Sequence, residues 1–492
     1  LTQVLLDRIL RFPDSIAVRD EEKQLSYSEL CLQASYGANC LLRHPGFFKG
    51  ARVALPAISG TAYTTELLAI WMAGGIAVPI NPKHPMPALS HQIRDSGSII
   101  LLTFSDLKQY HSLSIKLEID LVVVVRDQKD QQLPTITDTD PALIIYTSGT
   151  TNLPKGVLLT HANLKAQAEC LSESWKWRPS DSILNVLPMH HVHGIVNVLC
   201  CALWNGACCY FLNEFDPEKV RERFVSGEIN LFMAVPTIYF KLIEYWKNLT
   251  PTEQRVWSRS MSSFRLMVSG SAALPEIIHR QWEEISGQRL LERYGMSETG
   301  MILSNPYRGE RRAGFVGQPL PGVEVKVMKS SGNQSDSDTS GEIWVRGPSV
   351  FEKYWEKPDI TADSFENGWF KTGDMVVVEQ GYYRILGREN IDIIKTGGYK
   401  VSALEIENVL LGHSQVKECA VVGRPSEEWG EVVVACVVCR EEPPGQQELI
   451  DWVKESLANY KKPREIVFMD SLPRNALGKV IKSELKKEDL PK

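Results

Sequence analysis

The feature that most restricts the fold is an alternation of short β-rich runs with helix-like stretches along most of the chain. Strand-like runs occur at 52–56, 98–103, 121–125 and 143–146. Helical patterns, such as those at 65–72 and 217–224, lie among such runs. Parallel strands need crossover connections that helices supply, so this order is typical of layered α/β architecture with largely parallel sheets. We therefore predict an α/β fold.

The chain changes character near Gly387-Arg388, and its 492 residues are too many for one ordinary core. We predict a large domain of layered α/β subdomains at 1–387 and a small, mobile α+β domain at 388–492. The elements expected in the small domain are a strand at 391–394, a helix at 403–411, strands at 417–422 and 432–438, and a helix at 446–457.

Composition excludes some classes of partner. The formal net charge is -6, so no sequence-wide basic excess exists to neutralise nucleic-acid phosphates. The ten cysteines lack the spacing of a small disulfide framework, which suits a reducing compartment. The longest apolar region, 195–212, is interrupted by Asn197, Asn205 and Gly206, so we predict no membrane span. The chain begins with Leu1, which leaves a leader peptide an open question.

The segment 146–156 carries the strongest chemical signal. Its sequence is Tyr146-Thr-Ser-Gly-Thr-Thr-Asn-Leu-Pro-Lys-Gly156, a strand end followed by small and hydroxylated residues. Backbone N–H groups in such a loop can converge on phosphate oxygens, and Lys155 adds positive charge. The glycine spacing is not that of a Walker loop. A polar surface loop without function is the alternative interpretation of this composition.

This segment resembles the phosphate loop of the acyl-adenylate-forming superfamily, which contains acyl-CoA synthetases, luciferases and peptide-synthetase adenylation domains. Further matches follow in the family's order over nearly the whole chain. They lie at 187–194, 292–298, 369–374, 387–388 and 473–479. One match alone would be weak, but the ordered set identifies the chain as similar to an ATP-dependent acyl-CoA synthetase.

The resemblance implies a role for each matching residue. The phosphate loop would bind ATP through Thr147, Ser148, Gly149, Thr150, Thr151 and Lys155. Tyr294 would pack against adenine, and Asp374 with Arg388 would hold the ribose hydroxyls. Glu298 would hold Mg²⁺, a hard cation that prefers oxygen ligands. Lys479 would bridge carboxylate and α-phosphate oxygens as the adenylate forms. Its alternative is an ordinary solvated lysine in a lysine-rich tail.

Family enzymes also rotate the small domain between two half-reactions. One orientation brings in the lysine loop, and the other brings in a Gly-Gly loop that helps to build the tunnel for coenzyme A. Gly397 and Gly398 match that second loop, and 389–392 lies where the hinge is expected. Three departures from the family pattern are Asn152 in place of glycine, Ser297 in place of threonine, and one extra residue within 388–398. None of them removes a charged catalytic group.

Arg293, directly before Tyr294, points to a small dicarboxylate as the acid. A guanidinium buried beside the acyl group is costly unless a second carboxylate pairs with it. The chain resembles malonyl-CoA synthetases, and mitochondrial members most closely, at 190–194, 232–239, 268–274, 291–298 and 396–405. In that group the arginine holds the distal carboxylate, with the serine matching Ser271 nearby. An ion pair of Arg293 with Glu292 or another acid of the fold is the alternative.

His191 and His193 are expected to line the acyl pocket, because no complete zinc ligand set with Cys200 or Cys201 has suitable spacing. The leading hypothesis is therefore a malonyl-CoA synthetase that uses ATP, Mg²⁺ and coenzyme A, with methylmalonate as a second substrate. The alternatives are a synthetase for another small or medium acid, a stand-alone adenylation protein that loads a carrier protein, and a decayed, non-catalytic member. The resemblance favours the mitochondrial matrix, with the cytoplasm as the alternative.

Overall fold

Several described helices start at a residue whose side chain caps the first turn. The computed structural model describes residues 10–104, 108–125, 131–147, 154–329, 340–474 and 480–487. Ser26 with Glu29, and Thr160 with Asn163, form reciprocal capping boxes at the starts of two long helices. Asn163 Nδ2 also donates to the carbonyl oxygens of Pro348 and Val350. This cap therefore fixes both the start of a helix and the distant chain segment at 348–350.

The helices of the described residues alternate with strands as the sequence predicts, apart from short pieces. They are α1 (Tyr27–Arg43), α2 (Thr61–Met72), α3 (Met86–Ser96), α4 (Lys108–Leu117), α5 (His161–Trp175), α6 (Cys201–Trp204), α7 (Pro217–Val225), α8 (Pro236–Lys247), α9 (Pro251–Ser262), α10 (Glu276–Ser286), α11 (Pro358–Ser364), α12 (Ala403–Leu411), α13 (Gln446–Ser456) and α14 (Lys482–Leu485). A π-helix at His193–Cys200 leads directly into α6, and Asn459–Lys461 forms a 3₁₀ turn.

Among the described residues, the largest sheet has nine strands. Its strands in spatial order, with labels in chain order, are β15 (Gln318–Pro319), β14 (Gly300–Ser304), β13 (Leu291–Met296), β12 (Leu266–Ser269), β11 (Leu231–Ala234), β9 (Ser182–Asn185), β10 (Cys208–Phe211), β1 (Ile16–Arg19) and β2 (Gln24–Ser26). The strands from β13 to β1 are parallel, and β14, β15 and β2 are antiparallel edges.

A second sheet has seven strands within the described ranges. In spatial order they are β18 (Lys353–Tyr354), β8 (Lys155–Thr160), β7 (Pro141–Thr147), β4 (Ile76–Ile80), β3 (Arg52–Pro56), β5 (Ile100–Thr103) and β6 (Asp120–Val123). β7, β4, β3, β5 and β6 are parallel, whereas β8 and β18 are antiparallel. One core shared by the two sheets encloses α1, α2 and α5, so α2 is buried along nearly its whole length.

The third sheet differs from the prediction of largely parallel strands. It contains β16 (Glu324–Met328), β17 (Ser340–Arg346), β19 (Phe365–Glu366), β20 (Trp369–Glu379) and β21 (Tyr382–Arg388). All its pairings are antiparallel, and short turns join β19 to β20 and β20 to β21. The α/β fold class is confirmed, and this sheet is an addition to it.

The fourth sheet belongs to the small C-terminal unit. Its strands are β22 (Ile393–Thr396), β23 (Tyr399–Ser402), β24 (Val416–Ser426), β25 (Gly430–Cys439) and β26 (Glu465–Phe468). α12 and α13 share a core with it. β21 ends at Arg388 and β22 starts at Ile393, while the domain boundary after residue 387 stays a prediction. Within the described ranges, none of the helices combines the length and apolar character that a membrane span requires.

Candidate active site

Arg293, at the third position of β13, is a buried cation without an acidic partner in the described residues. Only 2% of its surface is exposed. Its Nη2 donates to Ser271 Oγ over 3.4 Å, while Nε and Nη1 are buried and have no hydrogen-bond partner in the described part of the chain. Burial lowers the pKa of Arg293, yet a guanidinium keeps its charge at neutral pH. This side chain lacks the counter-charge that a buried cation needs.

The backbone around Ser271 is shaped to admit that guanidinium. A Cβ at Gly270 would lie 2.7 Å from Arg293 Cζ, so any side chain there would collide with it. Ser271 itself has φ +68°, a left-handed conformation that is uncommon for a residue with a side chain. Strain of this kind is found where function constrains the chain.

His193 completes this pocket from the first position of the π-helix. Its Nδ1 lies 3.1 Å from Ser271 Oγ, and its buried Nε2 has no partner among the described residues. Burial, and then the charge of Arg293, lower the pKa of His193 well below its usual value, so the ring is neutral at physiological pH. The pocket therefore combines a guanidinium, a hydroxyl and a neutral imidazole, and π-helical turns often mark such sites.

The alternative pairing of Arg293 with Glu292 is wrong in this structure. Neighbouring residues on a strand face opposite sides of a sheet. Glu292 Oε1 accepts a hydrogen bond from the backbone N–H of Gly314 at 3.1 Å. Burial raises the pKa of Glu292 well above its usual value, so it is not the counter-ion that Arg293 lacks.

Asp374 joins Tyr294 and Arg388 in a second cluster. Asp374 lies opposite Arg388 across the β20–β21 pair, and Arg388 Nε is 3.3 Å from Asp374 Oδ1. The Tyr294 hydroxyl donates to Asp374 Oδ2. Burial raises the pKa of Asp374, and the charge of Arg388 opposes that rise. The three residues predicted to bind adenosine therefore lie together, although their roles stay predictions.

Glu298 forms a third cluster with Tyr354 and Lys155. Glu298 is 6% exposed, and its Oε1 accepts a hydrogen bond from Tyr354 Oη at 3.0 Å. Lys155 Nζ lies 4.3 Å from the centre of the Tyr354 ring. Burial raises the pKa of Glu298, whereas the Tyr354 hydroxyl and the charges of Arg388 and Lys155 lower it. A single carboxylate beside cations that can face phosphates fits Mg²⁺, which takes one or two carboxylates together with phosphate oxygens.

The predicted phosphate loop spans the gap between β7 and β8. Thr147 lies opposite Lys155 in their antiparallel pairing. Ser148, Gly149, Thr150 and Thr151 lie outside the described residues, and so does Lys479. Within the described ranges, no three His, Cys, Asp or Glu side chains are arranged to hold a metal ion.

Gly397 and Gly398 lie at the turn of the β22–β23 hairpin, both with positive φ. Gly397 N donates to the carbonyl oxygen of Trp429 at 2.9 Å, and a Cβ at Gly397 would lie 2.9 Å from the Trp429 ring. These glycines lie on the small unit, and the described contacts do not join them to the three clusters above. The ring of His191 lies 4.2 Å from that of His190, and His191 is near enough to His193 to contribute to the lowering of its pKa.

A groove beside Gly397 was not predicted from the sequence. Tyr399 and Tyr460, which are 54% and 43% exposed, stack at 4.3 Å between ring centres. The groove is also lined by Lys462 and by Arg464, whose guanidinium lies 3.7 Å from the centre of the Trp429 ring. We name Gly397, Tyr399, Trp429, Tyr460, Lys462 and Arg464 the aromatic groove.

Tyr354 was not predicted from the sequence either, since no motif surrounds it and the nearest signal was only an aromatic-rich run at 351–355.

Comparison with known proteins assigns the class of the chain. Residues 6–355 match the family described as AMP-binding enzyme, and residues 405–479 match the AMP-binding enzyme C-terminal domain. The chain belongs to the AMP-binding enzyme family, and the resemblance inferred from its motifs is confirmed.

Three proteins are similar to the chain over most of its length. It is 42% identical to the mitochondrial malonate–CoA ligase ACSF3 of Homo sapiens, over 97% of this chain and 90% of that protein. ATP-bound MatB from Rhodopseudomonas palustris superposes with a TM-score of 0.89 at 32% identity, over 98% of both chains. A malonyl-CoA ligase ternary product complex with methylmalonyl-CoA and AMP gives a TM-score of 0.69 at 37% identity, over 94% of this chain and 97% of that one. By TM-score, the structure of this chain is thus more similar to ATP-bound MatB than to the product complex, although the product complex has the higher sequence identity.

Proposed function

We propose that this protein is an ATP-dependent malonyl-CoA synthetase. It converts malonate, ATP and coenzyme A into malonyl-CoA, AMP and pyrophosphate through a malonyl adenylate. The observation that carries the proposal is that Arg293, beside Ser271 and His193, is buried and has no acidic partner among the described residues. Relatives named as malonate–CoA ligases support it.

The distal carboxylate of malonate supplies the counter-charge that Arg293 lacks. Nε and Nη1 have no partner among the described residues, and the bond from Nη2 to Ser271 is long at 3.4 Å. If Nη2 gives up that bond, Nε and Nη2 can donate two parallel hydrogen bonds to one carboxylate, as those of Arg265 do to Asp181. Each charge-assisted hydrogen bond contributes about 1.5–3 kcal/mol. A monocarboxylate would leave the guanidinium buried and unpaired. The pocket therefore selects a short acid with charge at both ends.

Adenylation needs the other carboxylate to meet the α-phosphorus of ATP. Asp374 accepts hydrogen bonds from the ribose hydroxyls, and the charge of Arg388 favours the ionised form of Asp374 against the effect of burial, which raises its pKa. Lys155, at the start of β8, faces the phosphates beside Glu298. Mg²⁺ bound by Glu298 and phosphate oxygens would neutralise phosphate charge. A malonate oxygen attacks the α-phosphorus, the new P–O bond forms, and pyrophosphate leaves with its bonding electron pair.

On sequence grounds, Lys479 stays a proposed catalytic residue and 148–151 stays a proposed ATP-binding segment. A cation that touches both the attacking carboxylate and the α-phosphate offsets the charge that builds on their oxygens in the transition state. In the second half-reaction the thiol of coenzyme A attacks the acyl carbonyl, the thioester C–S bond forms, and AMP leaves.

We propose that the nucleotide end of coenzyme A binds in the aromatic groove. Stacked, half-exposed tyrosines offer flat faces to adenine, and Lys462 with Arg464 offers charge to phosphate. For its thiol to reach the acyl group, the small unit must turn so that Gly397 and Gly398 face the large one. We therefore propose two orientations of the small unit, of which the structure holds one.

Two finer points belong to the same proposal. Methylmalonate is a second substrate, because one extra methyl group changes discrimination by only about 1–3 kcal/mol. The mitochondrial matrix is the proposed compartment, on the basis of the mitochondrial relatives, with the cytoplasm as the alternative.

A pyrophosphate-release screen over mono- and dicarboxylates, with and without coenzyme A, tests the proposal. Malonate is expected to give the highest kcat/KM, with methylmalonate second and with one coenzyme A consumed for each AMP formed. A preference for propionate or butyrate would refute the dicarboxylate assignment. Adenylate formation without consumption of coenzyme A would indicate carrier-protein loading. If none of the acids supports AMP formation, the protein lacks this activity.

A further inference from the structure

The first turn of α10 in the large domain is capped by a side chain of the small unit. Pro275 occupies the N-cap position of α10 and makes no side-chain cap. Instead, Asn408 of α12 accepts a hydrogen bond at Oδ1 from the backbone N–H of Glu276, over 3.0 Å. Its Nδ2 donates to Glu276 Oε1 over 3.3 Å. The free N–H of a helix start is thus satisfied across the two units.

A second contact lies on the neighbouring helix. Arg440 Nη1 is 3.3 Å from Glu244 Oε2 on α8, and the Arg440 guanidinium lies 5.8 Å from the centre of the Phe240 ring. α8 and α10 pack against each other in one core. Asn408 and Arg440 of the small unit therefore both contact this packed pair of helices in the large one.

The capped helix start leads back to the acyl pocket. β12 ends at Ser269, and α10 begins at Glu276. The short segment 270–275 between them carries Ser271, which contacts both His193 and Arg293. Holding the first residue of α10 fixes one end of this segment, and β12 fixes the other.

We propose that Asn408 is a positioning residue for the acyl pocket. By capping α10 it fixes the 270–275 segment, so that Ser271 meets Arg293 while the small unit is docked as seen here. When the small unit turns away, the cap is lost and the segment is held less firmly. This inference rests on the two orientations of the proposed function, and it couples one of them to acid binding.

A charge-swap cycle at Asn408 and Glu276 tests the coupling. Asn408→Asp keeps an acceptor for the Glu276 N–H but places its carboxylate against that of Glu276. Glu276→Gln keeps both hydrogen bonds and is the reference. In the variant with both changes, the new glutamine donates to the new aspartate, so the contact is restored with its donor and acceptor exchanged.

The measurements are acid-dependent ATP–pyrophosphate exchange and thioester formation from the supplied adenylate of the same acid. Asn408→Asp is expected to lower exchange roughly fivefold and to raise the KM for the acid, because repulsion from the carboxylate of Glu276 moves the capping side chain away, and displacement of one helix cap has an effect of about this size. Thioester formation is expected to stay within about twofold, because the proposed turn removes this contact in any case. The double variant is expected to match Glu276→Gln.

Gln447→Glu on α13 adds the same charge to the small unit away from α10 and is the matched control. Equal loss in both half-reactions, or no recovery in the double variant, would overturn the coupling. The cycle is run with whichever acid gives the wild type its highest exchange. A failure of malonate as substrate would therefore refute the proposed function, while the mutant cycle could still be measured with another acid.

Discussion

Replacement of Arg293 by methionine is expected to stabilise the ligand-free protein. The guanidinium is buried, and two of its nitrogens, Nε and Nη1, have no partner in the described residues. A buried unsatisfied polar group costs about 1–3 kcal/mol, and more when it is charged. Methionine fills a similar volume without that cost. We expect the free energy of unfolding to rise by about 1–3 kcal/mol, seen as a higher apparent Tm.

The same replacement should remove the preference for malonate. The bond that remains to Ser271 is long, at 3.4 Å, so the guanidinium is free to reorient toward a substrate. Two charge-assisted hydrogen bonds at about 1.5–3 kcal/mol each correspond to a loss of roughly 10²–10⁴-fold in kcat/KM for malonate. The value for propionate is expected to change far less, because propionate has no second carboxylate.

Arg265 provides a matched control for the stability measurement. Its guanidinium is also largely buried, but it pairs with Asp181 through Nη2–Oδ2 at 2.7 Å and Nε–Oδ1 at 2.9 Å. Arg265→Met leaves the fully buried Asp181 side chain without its cation, which should destabilise the protein by about 3–5 kcal/mol. Both substitutions replace arginine by methionine. Opposite signs of the change in the free energy of unfolding would therefore show the effect of the ion pair.

Thermal unfolding with and without malonate, combined with kinetics on malonate and propionate, gives the answer. Wild-type Tm is expected to rise with malonate, and that of Arg293→Met is expected not to respond. The reasoning fails if Arg293→Met unfolds at a lower temperature than the wild type. It also fails if the ratio of kcat/KM for malonate to that for propionate is unchanged.

Three further predictions concern the nucleotide and the thiol. Tyr354→Phe removes the hydrogen bond that lowers the pKa of Glu298, so that pKa rises further. Because Glu298 must be ionised to hold Mg²⁺, the acid limb of the pH profile of kcat/KM for MgATP should move to higher pH, and an unmoved limb would contradict the role of Glu298. Lys479→Ala should lower adenylation by about 10²–10³-fold and spare thioester formation from supplied malonyl adenylate; equal losses would argue against two orientations. Lys462→Ala should raise the KM for coenzyme A by about three- to tenfold, and that for ATP little; an unchanged KM would remove the aromatic groove from the binding path.

Regular elements of the fold were predictable because their signals are local. The strand at 52–56 and the helix at 403–411 have the predicted bounds, since apolar runs and a capping serine define them within a few residues. The antiparallel pairing of β20 with β17 and with β21 was not predicted, because strand direction depends on how connections pack and not on the strand sequence. The helix at 65–72 starts earlier, at Thr61, because burial on all sides removes the amphipathic pattern that marks a start.

The candidate site divides in the same way. Arg293, Asp374 and Glu298 were found because each lies in a contiguous motif. Tyr354 and Asn408 were not, because each acts on a residue far away in the sequence: Tyr354 contacts Glu298 at a separation of 56 residues, and Asn408 contacts Glu276 at 132. Side-chain contacts of this kind depend on the packed structure and leave no pattern in the neighbouring residues.

The position of Arg293 serves to reject wrong acids as well as to bind the right one. The charge-assisted hydrogen bonds to malonate favour the dicarboxylate. A monocarboxylate that enters the pocket displaces solvent and leaves the buried cation without a partner, which adds a penalty of its own. If so, Arg293→Met should raise kcat/KM for propionate above the wild-type value, and not merely lower that for malonate. Rejection through an uncompensated charge of the protein predicts this gain, whereas selection through attraction alone predicts no change for propionate.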